Sequence, residues 1–242
     1  MNPSPGASPL LQLNGVSAGY GEMSVINDIN LDIFPSEIVA LVGSNGAGKT
    51  TLLRVLSRLL HCKGDIRFNG TLITEYTPDQ VFELGMVQVP EGRQLFDRMS
   101  VQDNLLMGAY HRPSRAEVAQ DLEKIYALFP RMAERRKQLA GSMSGGEQQM
   151  CAMARAMMAR PVLLMVDEMS LGLAPIIVDQ LMDVLVSIRG QGVTVLLVEQ
   201  DIHLALAAAD RGYVVETGKI VRQGPAKELI DDPALQRAYL GL

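Results

Sequence analysis

The sequence has no uninterrupted apolar run approaching the roughly 18 residues of a membrane span, and its N-terminus lacks a basic region followed by an apolar stretch. Neither a transmembrane segment nor a secretory leader is expected, and a soluble, cytoplasmic chain is. Cysteine is scarce: Cys62 and Cys151 have no metal-ligand spacing, and in that compartment both stay thiols. Cys151 falls on an apolar helix face, so packing is its expected role. Positive charge is also in deficit, with 22 Lys and Arg against 27 Asp and Glu and a formal net charge of -5. That balance argues against nucleic-acid binding through a global basic field, and no nucleic-acid partner is expected. The nearest thing to a basic patch runs from Arg131 to Lys137, with Arg135 and Arg136 around Glu134, and reads as a solvated helix face. Tryptophan is absent while methionine is abundant (14), which suits an adaptable core and says little about function.

What is present is organised around Gly43-Ser44-Asn45-Gly46-Ala47-Gly48-Lys49-Thr50, a Gly-x-x-x-x-Gly-Lys-Thr loop. The apolar run 38–42 before it suits a buried parallel strand, and Leu52, Leu53, Leu56, Leu59 and Leu60 after it recur at helical spacing. In that setting the glycines let successive backbone N–H groups face an anion at a helix N-terminus. Lys49 can reach β and γ phosphates, and the Thr50 hydroxyl can join a Mg²⁺ shell.

A chain of 242 residues suits one large α/β domain or a domain with an insertion. Residues 1–9 read as a disordered leader rich in turn formers. Alternating apolar residues from Leu10 and again at Ile29, Leu31 and Ile33 indicate half-buried antiparallel strands, and Tyr20 ends the first of them. An aromatic there could stack on a base or simply pack. Residues 65–68 form a strand running into an Asn69-Gly70 turn, and 85–90 a strand stopped by Pro90, with Glu91-Gly92-Arg93 opening a loop. From Val101 to Met158 the pattern is helical, with Val118, Leu122, Ile125, Tyr126 and Phe129 on one face, which predicts a helical insertion. Ser144-Gly145-Gly146-Glu147 has capping-box spacing, and glycines in the first turn leave room for a second phosphate contact. A second buried strand, 162–166, delivers Asp167 and Glu168 to its carboxyl end, where α/β sheets bind ligands. One carboxylate, Asp167, can hold the metal shell while Glu168 polarises water. Pro175 starts a helix, 193–198 is a third buried strand, and 213–221 reads as a hairpin turning near Thr217-Gly218.

Together these motifs resemble the ATP-binding subunits of ABC transporters over nearly the whole chain. The loop 43–50 is similar to Walker A, Met143 to Glu147 to a variant Leu-Ser-Gly-Gly-Gln signature, and Val162 to Glu168 to Walker B with its catalytic glutamate. The resemblance implies a P-loop NTPase core, a mostly parallel sheet flanked by helices, with an N-terminal antiparallel β layer and an inserted helical subdomain. It implies one ABC ATPase domain over 10–242, built from 10–91 and 159–242, with the subdomain at about 92–158. Tyr20 falls where the family stacks an aromatic on adenine, and ATP and Mg²⁺ are the implied ligands, touching residues 43–50, Thr51 and Glu91. Ser144, Gly145, Gly146 and Glu147 would close over ATP held by the opposite subunit of a head-to-tail dimer.

Glu91 stands at the Gln-loop position and joins the metal set, Ala174 replaces the D-loop aspartate, and Gln200 replaces the switch histidine, for which His203 is no substitute. These three resemble the branch serving branched-chain amino-acid importers and their urea and amide relatives, whereas Met169, in place of proline, fits neither pattern. The implied partners are permease subunits in the membrane, a second ATPase subunit (a longer homologue, or a second copy) and, indirectly, a solute-binding protein. The chain would lie peripherally on the inner face of the membrane. Competing readings are a non-transport ABC ATPase and a P-loop kinase or GTPase switch. The first usually carries a second ATPase half, a long coiled coil or a basic surface, and the second leaves the Ser-Gly-Gly-Glu segment without a task.

Overall fold

The structure, a computed structural model, describes residues 8–240; most of the expected leader, 1–7, lies outside the described residues. Four strands, β1 (Leu11–Tyr20), β2 (Met23–Ile33), β4 (Lys63–Phe68) and β5 (Thr71–Leu72), form an antiparallel sheet in the order β2-β1-β4-β5. A second sheet has the order β10-β9-β3-β8-β7-β6, from β3 (Ile38–Val42), β6 (Met86–Val89), β7 (Leu163–Asp167), β8 (Thr194–Glu199), β9 (Arg211–Glu216) and β10 (Lys219–Pro225). All its pairings are parallel except the β9–β10 hairpin.

Strands β3, β7 and β8 read as continuous apolar runs because both faces of this sheet are covered. Ile38, Ala40, Val42, Leu164, Val166, Val195 and Leu197 join one core, and the alternate residues Val39, Leu41, Leu163, Met165, Leu196 and Val198 join another. The second core also holds the apolar face of α1 (Lys49–Leu56) and the inner face of the antiparallel sheet. The first takes α3 (Val101–Gly108), α4 (Arg115–Leu128), α6 (Gly145–Met157), α7 (Pro175–Gly190), α8 (Ile202–Ala208) and α9 (Ala226–Ile230). Helix α2 (Pro78–Glu83) precedes β6, and α5 (Pro130–Glu134) links α4 to α6; α10 (Pro233–Leu240) ends the described chain. Two of the short hairpin turns follow the sequence signals: Asn69-Gly70 and Thr217-Gly218 take left-handed backbone angles at both positions. At the second, the Gly218 N–H donates to Ala47 O at 2.9 Å and Gly218 O accepts from Asn27 N at 2.8 Å. This turn joins the Gly-Lys-Thr loop to the antiparallel sheet.

The helical stretch expected from Val101 to Met158 consists of several short helices, with a break at the turn residues Arg112-Pro113-Ser114 and another at Pro130. Leu122, Ile125, Tyr126 and Phe129 are buried as predicted, and Val118 packs beside them. Cys151 is fully buried, and burial pushes its thiol up to about 12. One expectation needs correction. Arg135 is not merely part of a solvated face: its Nε lies 2.6 Å from Glu147 Oε1, because the chain after α5 turns back onto the start of α6.

Helix α4 is tied down by Asp121, whose carboxylate lies 2.6 Å from Arg160 Nε, 2.7 Å from Arg112 Nη2 and 3.1 Å from Lys124 Nζ. Burial alone would raise its pKa; hydrogen bonds from Arg160, Lys124 and Arg112 outweigh that and hold it far below the usual carboxylate range. This contribution is therefore complete above the unfolded carboxylate pKa of about 3.9 and is lost as pH falls below it. Asp121→Asn is expected to lose about 1–3 kcal/mol at pH 7, and thermal melts should converge with wild type toward pH 2; equal melting temperatures at pH 7 would remove the clamp.

Candidate nucleotide site

The loop after β3 turns on glycines that no other residue could replace in place. Gly48 has φ +108, and a Cβ there would meet Ile26 Cγ2 at 2.7 Å. Gly43 lies so close to the hairpin that its Cβ would meet Val215 O at 2.3 Å. Gly48 is also the N-cap of α1 and brings no side chain to cap it, so the first-turn N–H groups are left for an outside acceptor. Asn45, Gly46, Gly48, Lys49, Thr50 and Thr51 line a cavity of about 410 Å³, together with Val25, Glu91, Glu168 and Leu171.

The Lys49 side chain is 4% exposed, yet its ammonium is fully engaged. Its Nζ donates to Gly43 O at 2.8 Å and to Ser44 O at 3.2 Å, and lies 3.2 Å from Glu168 Oε1. Glu168 takes a left-handed backbone, φ +43, unusual for a residue with a side chain, and its N–H donates to Val198 O at 2.9 Å. Asp167 is 1% exposed, and its Oδ1 has no hydrogen-bond partner. Burial, then the charges of Glu168 and Glu91, push its carboxyl up to about 6, with Lys49 pulling the other way. An orphaned buried carboxylate oxygen of this kind calls for a cation. A second cavity, about 490 Å³, adjoins this arrangement and is lined by Ser44, Glu168, Ser170, Glu199, Gln200 and Asp201 among others.

At the start of α6, Ser144 and Glu147 form the predicted capping box. The Ser144 N–H donates to Glu147 Oε2 at 3.0 Å, and the Glu147 N–H donates to Ser144 Oγ at 3.4 Å. Glu147 is also paired with Arg135, and although burial raises its pKa, the Ser144 hydrogen bonds and Arg135 bring it below its ordinary value. Gly146 packs tightly on α7, where a Cβ would meet Ile177 Cγ2 at 2.5 Å.

The ABC transporter family model matches residues 26–170, from β2 past Asp167 and Glu168. The chain belongs to the ABC transporter family. It is 42% identical to the high-affinity branched-chain amino acid transport ATP-binding protein BraG of Pseudomonas aeruginosa, over 96% of this chain and 100% of that one. It is 33% identical to the probable branched-chain amino acid transport ATP-binding protein LivF of Archaeoglobus fulgidus, covering 96% and 99%. The fold matches a nucleotide-free ATP-binding cassette of an ABC transporter with TM-score 0.85 at 23% identity, over 97% of this chain and 100% of that one. The ADP conformation of the ATP-binding cassette MJ1267 gives TM-score 0.86 at 23% identity, over 98% and 100%.

This ABC protein is thus an ATP-binding, ATP-hydrolysing chain, and its structure brings Lys49, Thr50, Thr51, Glu91 and Glu168 to one cavity and Glu168, Ser44 and Gln200 to the adjoining one. Ser144 to Glu147 line neither, and Tyr20 stands outside both, half-exposed, its hydroxyl accepting from Arg54 Nη1 at 3.1 Å. Met169, unexplained by motif, is 1% exposed and packs into the larger core. Among the neighbours, Val25 carried no motif signal, while Ser170, Leu171 and Arg93 lie in stretches 170–175 and 90–93 without a role assigned to them; Arg93 lies against Gly145 and donates to Gln148 Oε1 at 3.2 Å. Glu199 did carry a signal, a charged residue closing an otherwise apolar strand.

Two outcomes check this geometry. Lys49→Ala should abolish phosphate release while leaving the circular-dichroism spectrum unchanged; near-normal turnover in a folded variant would remove Lys49 from the mechanism. The raised Asp167 pKa means that between about 3.9 and about 6 the folded chain keeps a proton that the unfolded chain has lost. Stability of the nucleotide-free protein therefore falls as pH rises through that window. Asp167→Asn should flatten this part of the melting profile, and an unchanged slope would contradict the assignment.

Proposed function

We propose that the chain hydrolyses ATP with Mg²⁺ to drive a membrane importer of branched-chain, hydrophobic amino acids. The contact carrying the ATPase chemistry is Lys49 held against Glu168, beside the unpartnered Asp167 oxygen. The solute class is supported by the relatives BraG and LivF and by Glu91, Ala174 and Gln200. The same role for urea or short amides is the second reading, since the same three residues suit that branch as well.

In this proposal Lys49 leaves its carbonyl acceptors to neutralise β and γ phosphate charge, and the backbone N–H groups of the loop bind the same oxygens. Thr50 and Asp167 fit the metal shell, with Glu91 beside them: a hydroxyl, an orphaned carboxylate oxygen and a third oxygen donor are what Mg²⁺ prefers. Bound there, the ion supplies charge neutralisation at the phosphates. Glu168 takes a proton from the attacking water, and the Gln200 amide hydrogen-bonds water or γ phosphate without titrating near neutrality. Tyr20 stacks on adenine. Ser144, Gly145 and Gly146 act on ATP bound by the other subunit of the dimer, which fits their absence from both cavities of their own chain. That subunit is a second, homologous ATPase or another copy of this chain.

Transport itself belongs to permease subunits, because no helix among the described residues is long and apolar enough to cross a membrane. An open groove of about 460 Å³ supports docking on such a subunit: Leu59, Phe82, Met86, Met107, Tyr110 and His111 are among its lining residues. Leu59 and Tyr110 are 66% and 75% exposed, large apolar surface for a chain to leave uncovered. The chain then sits peripherally on the cytoplasmic face, with a solute-binding protein acting from the other side.

Glu168→Gln should still bind ATP while turnover falls by about 10²-fold or more, and it should trap the joined dimer. Light scattering after size exclusion, with and without ATP, reads the result. A variant that binds ATP yet stays monomeric at high concentration, alone and mixed with its paired ATPase, would overturn the sandwich.

A further inference from the structure

The segment leaving β7 is fastened to β8 by a buried carboxylate that the reaction as described does not use. Glu199 is 1% exposed, and both of its oxygens are occupied by one residue. Oε1 accepts from the Ser170 N–H at 3.1 Å, and Oε2 accepts from the Ser170 hydroxyl at 2.8 Å. Among the described residues no cation lies within ion-pair distance of it. Burial raises its pKa, the Ser170 bonds and the Gln200 backbone lower it, and the nearby Glu168 charge raises it further.

Such a group is costly: a buried carboxylate without a cation forgoes hydration for a few hydrogen bonds. A loop that merely had to be closed could use a serine or an asparagine at lower cost. What Glu199 provides is a two-point, charge-assisted grip on the residue two places beyond Glu168. On the near side, Glu168 donates its N–H to Val198 O. Glu168 is therefore held between two consecutive residues of β8, Val198 through its own backbone and Glu199 through Ser170. Its left-handed backbone, which carries a cost of its own, persists only where the surroundings over-determine it. Gln200 follows Glu199 directly, and Glu168, Ser170, Glu199 and Gln200 border the same cavity.

We infer that Glu199 is a positioning residue for hydrolysis: through Ser170 it fixes the Glu168 carboxylate in its attack geometry and keeps it in register with the Gln200 amide. Its two oxygens are taken up by Ser170 and it acts through Glu168, so the inference rests on Glu168 being the base. Removing the grip leaves the phosphate loop intact. The loss should fall on the chemical step and spare nucleotide binding.

The test uses single-turnover hydrolysis of radiolabelled ATP with enzyme in excess, equilibrium ATP binding, and thermal melts, on the full chain. Glu199→Ala and Ser170→Ala are each expected to slow the single-turnover rate at least tenfold with ATP affinity within about twofold. Ser170→Thr, which keeps both donors, should restore most of the rate, and the double variant should be no slower than the slower single one. In a Glu168→Gln background Glu199→Ala should cost nothing further. Should Glu199→Ala fail to fold, the serine variants carry the same comparison.

A rate within twofold of wild type in Ser170→Ala, equal losses in rate and affinity, or an undiminished loss in the Glu168→Gln background would each overturn the inference. Normal turnover in Glu168→Gln alone would instead overturn the role of Glu168 as base, so the two failures are distinguishable.

Discussion

A buried ammonium must be neutralised, and much of the site is arranged around how Lys49 meets that requirement. Its stem is enclosed by the loop and α1, so its charge has few places to go. Two loop carbonyls and Glu168 take it. The contact joins the β3–α1 unit to the end of β7, across β8, and holds the loop in shape before any phosphate arrives. On the proposed mechanism a phosphate entering the cavity competes with Glu168 for Lys49, so that nucleotide binding and release of Glu168 would be one exchange of hydrogen bonds.

The remainder of the fold positions these groups by ordinary means. The mostly parallel sheet, covered on both faces, places the ends of β3, β7 and β8 side by side, so that Val42, Asp167 and Glu199 finish at one edge. Covering one face takes α1 and the antiparallel sheet; covering the other takes the helices. The helical region is held partly by charge, through Asp121 with its arginines and through Arg135 with Glu147. The latter pair stands where the first turn of α6 would meet an anion.

What could be read from the sequence was what is local in it. Residues 43–50, the Ser144–Glu147 box and the two left-handed turns each need only a few neighbours, and their chemistry follows from spacing. The buried strands were equally plain, since a sheet covered on both faces leaves no alternation to misread. Contacts between distant residues were not legible: nothing in Ser170 or Glu199 alone says that 29 residues later one will grip the other. Nor does Arg135 announce Glu147 as its partner, because a run of basic residues reads as solvated until the fold brings a carboxylate to it. The open groove beside Leu59 and Tyr110 was hidden for the same reason, its walls coming from the segment after α1, from α2, from β6 and from the end of α3 and the residues after it.

The turn at Thr217-Gly218 has a consequence for how the protein is made. β3 pairs on one side with β8 and on the other with β9, and the loop after it is hydrogen-bonded to Gly218. All three partners come from the last quarter of the chain, long after Lys49 has left the ribosome. A nascent chain complete to residue 170 carries Lys49, Asp167 and Glu168 but leaves both edges of β3 bare. The cradle therefore reaches its final contacts only when the hairpin has been synthesised.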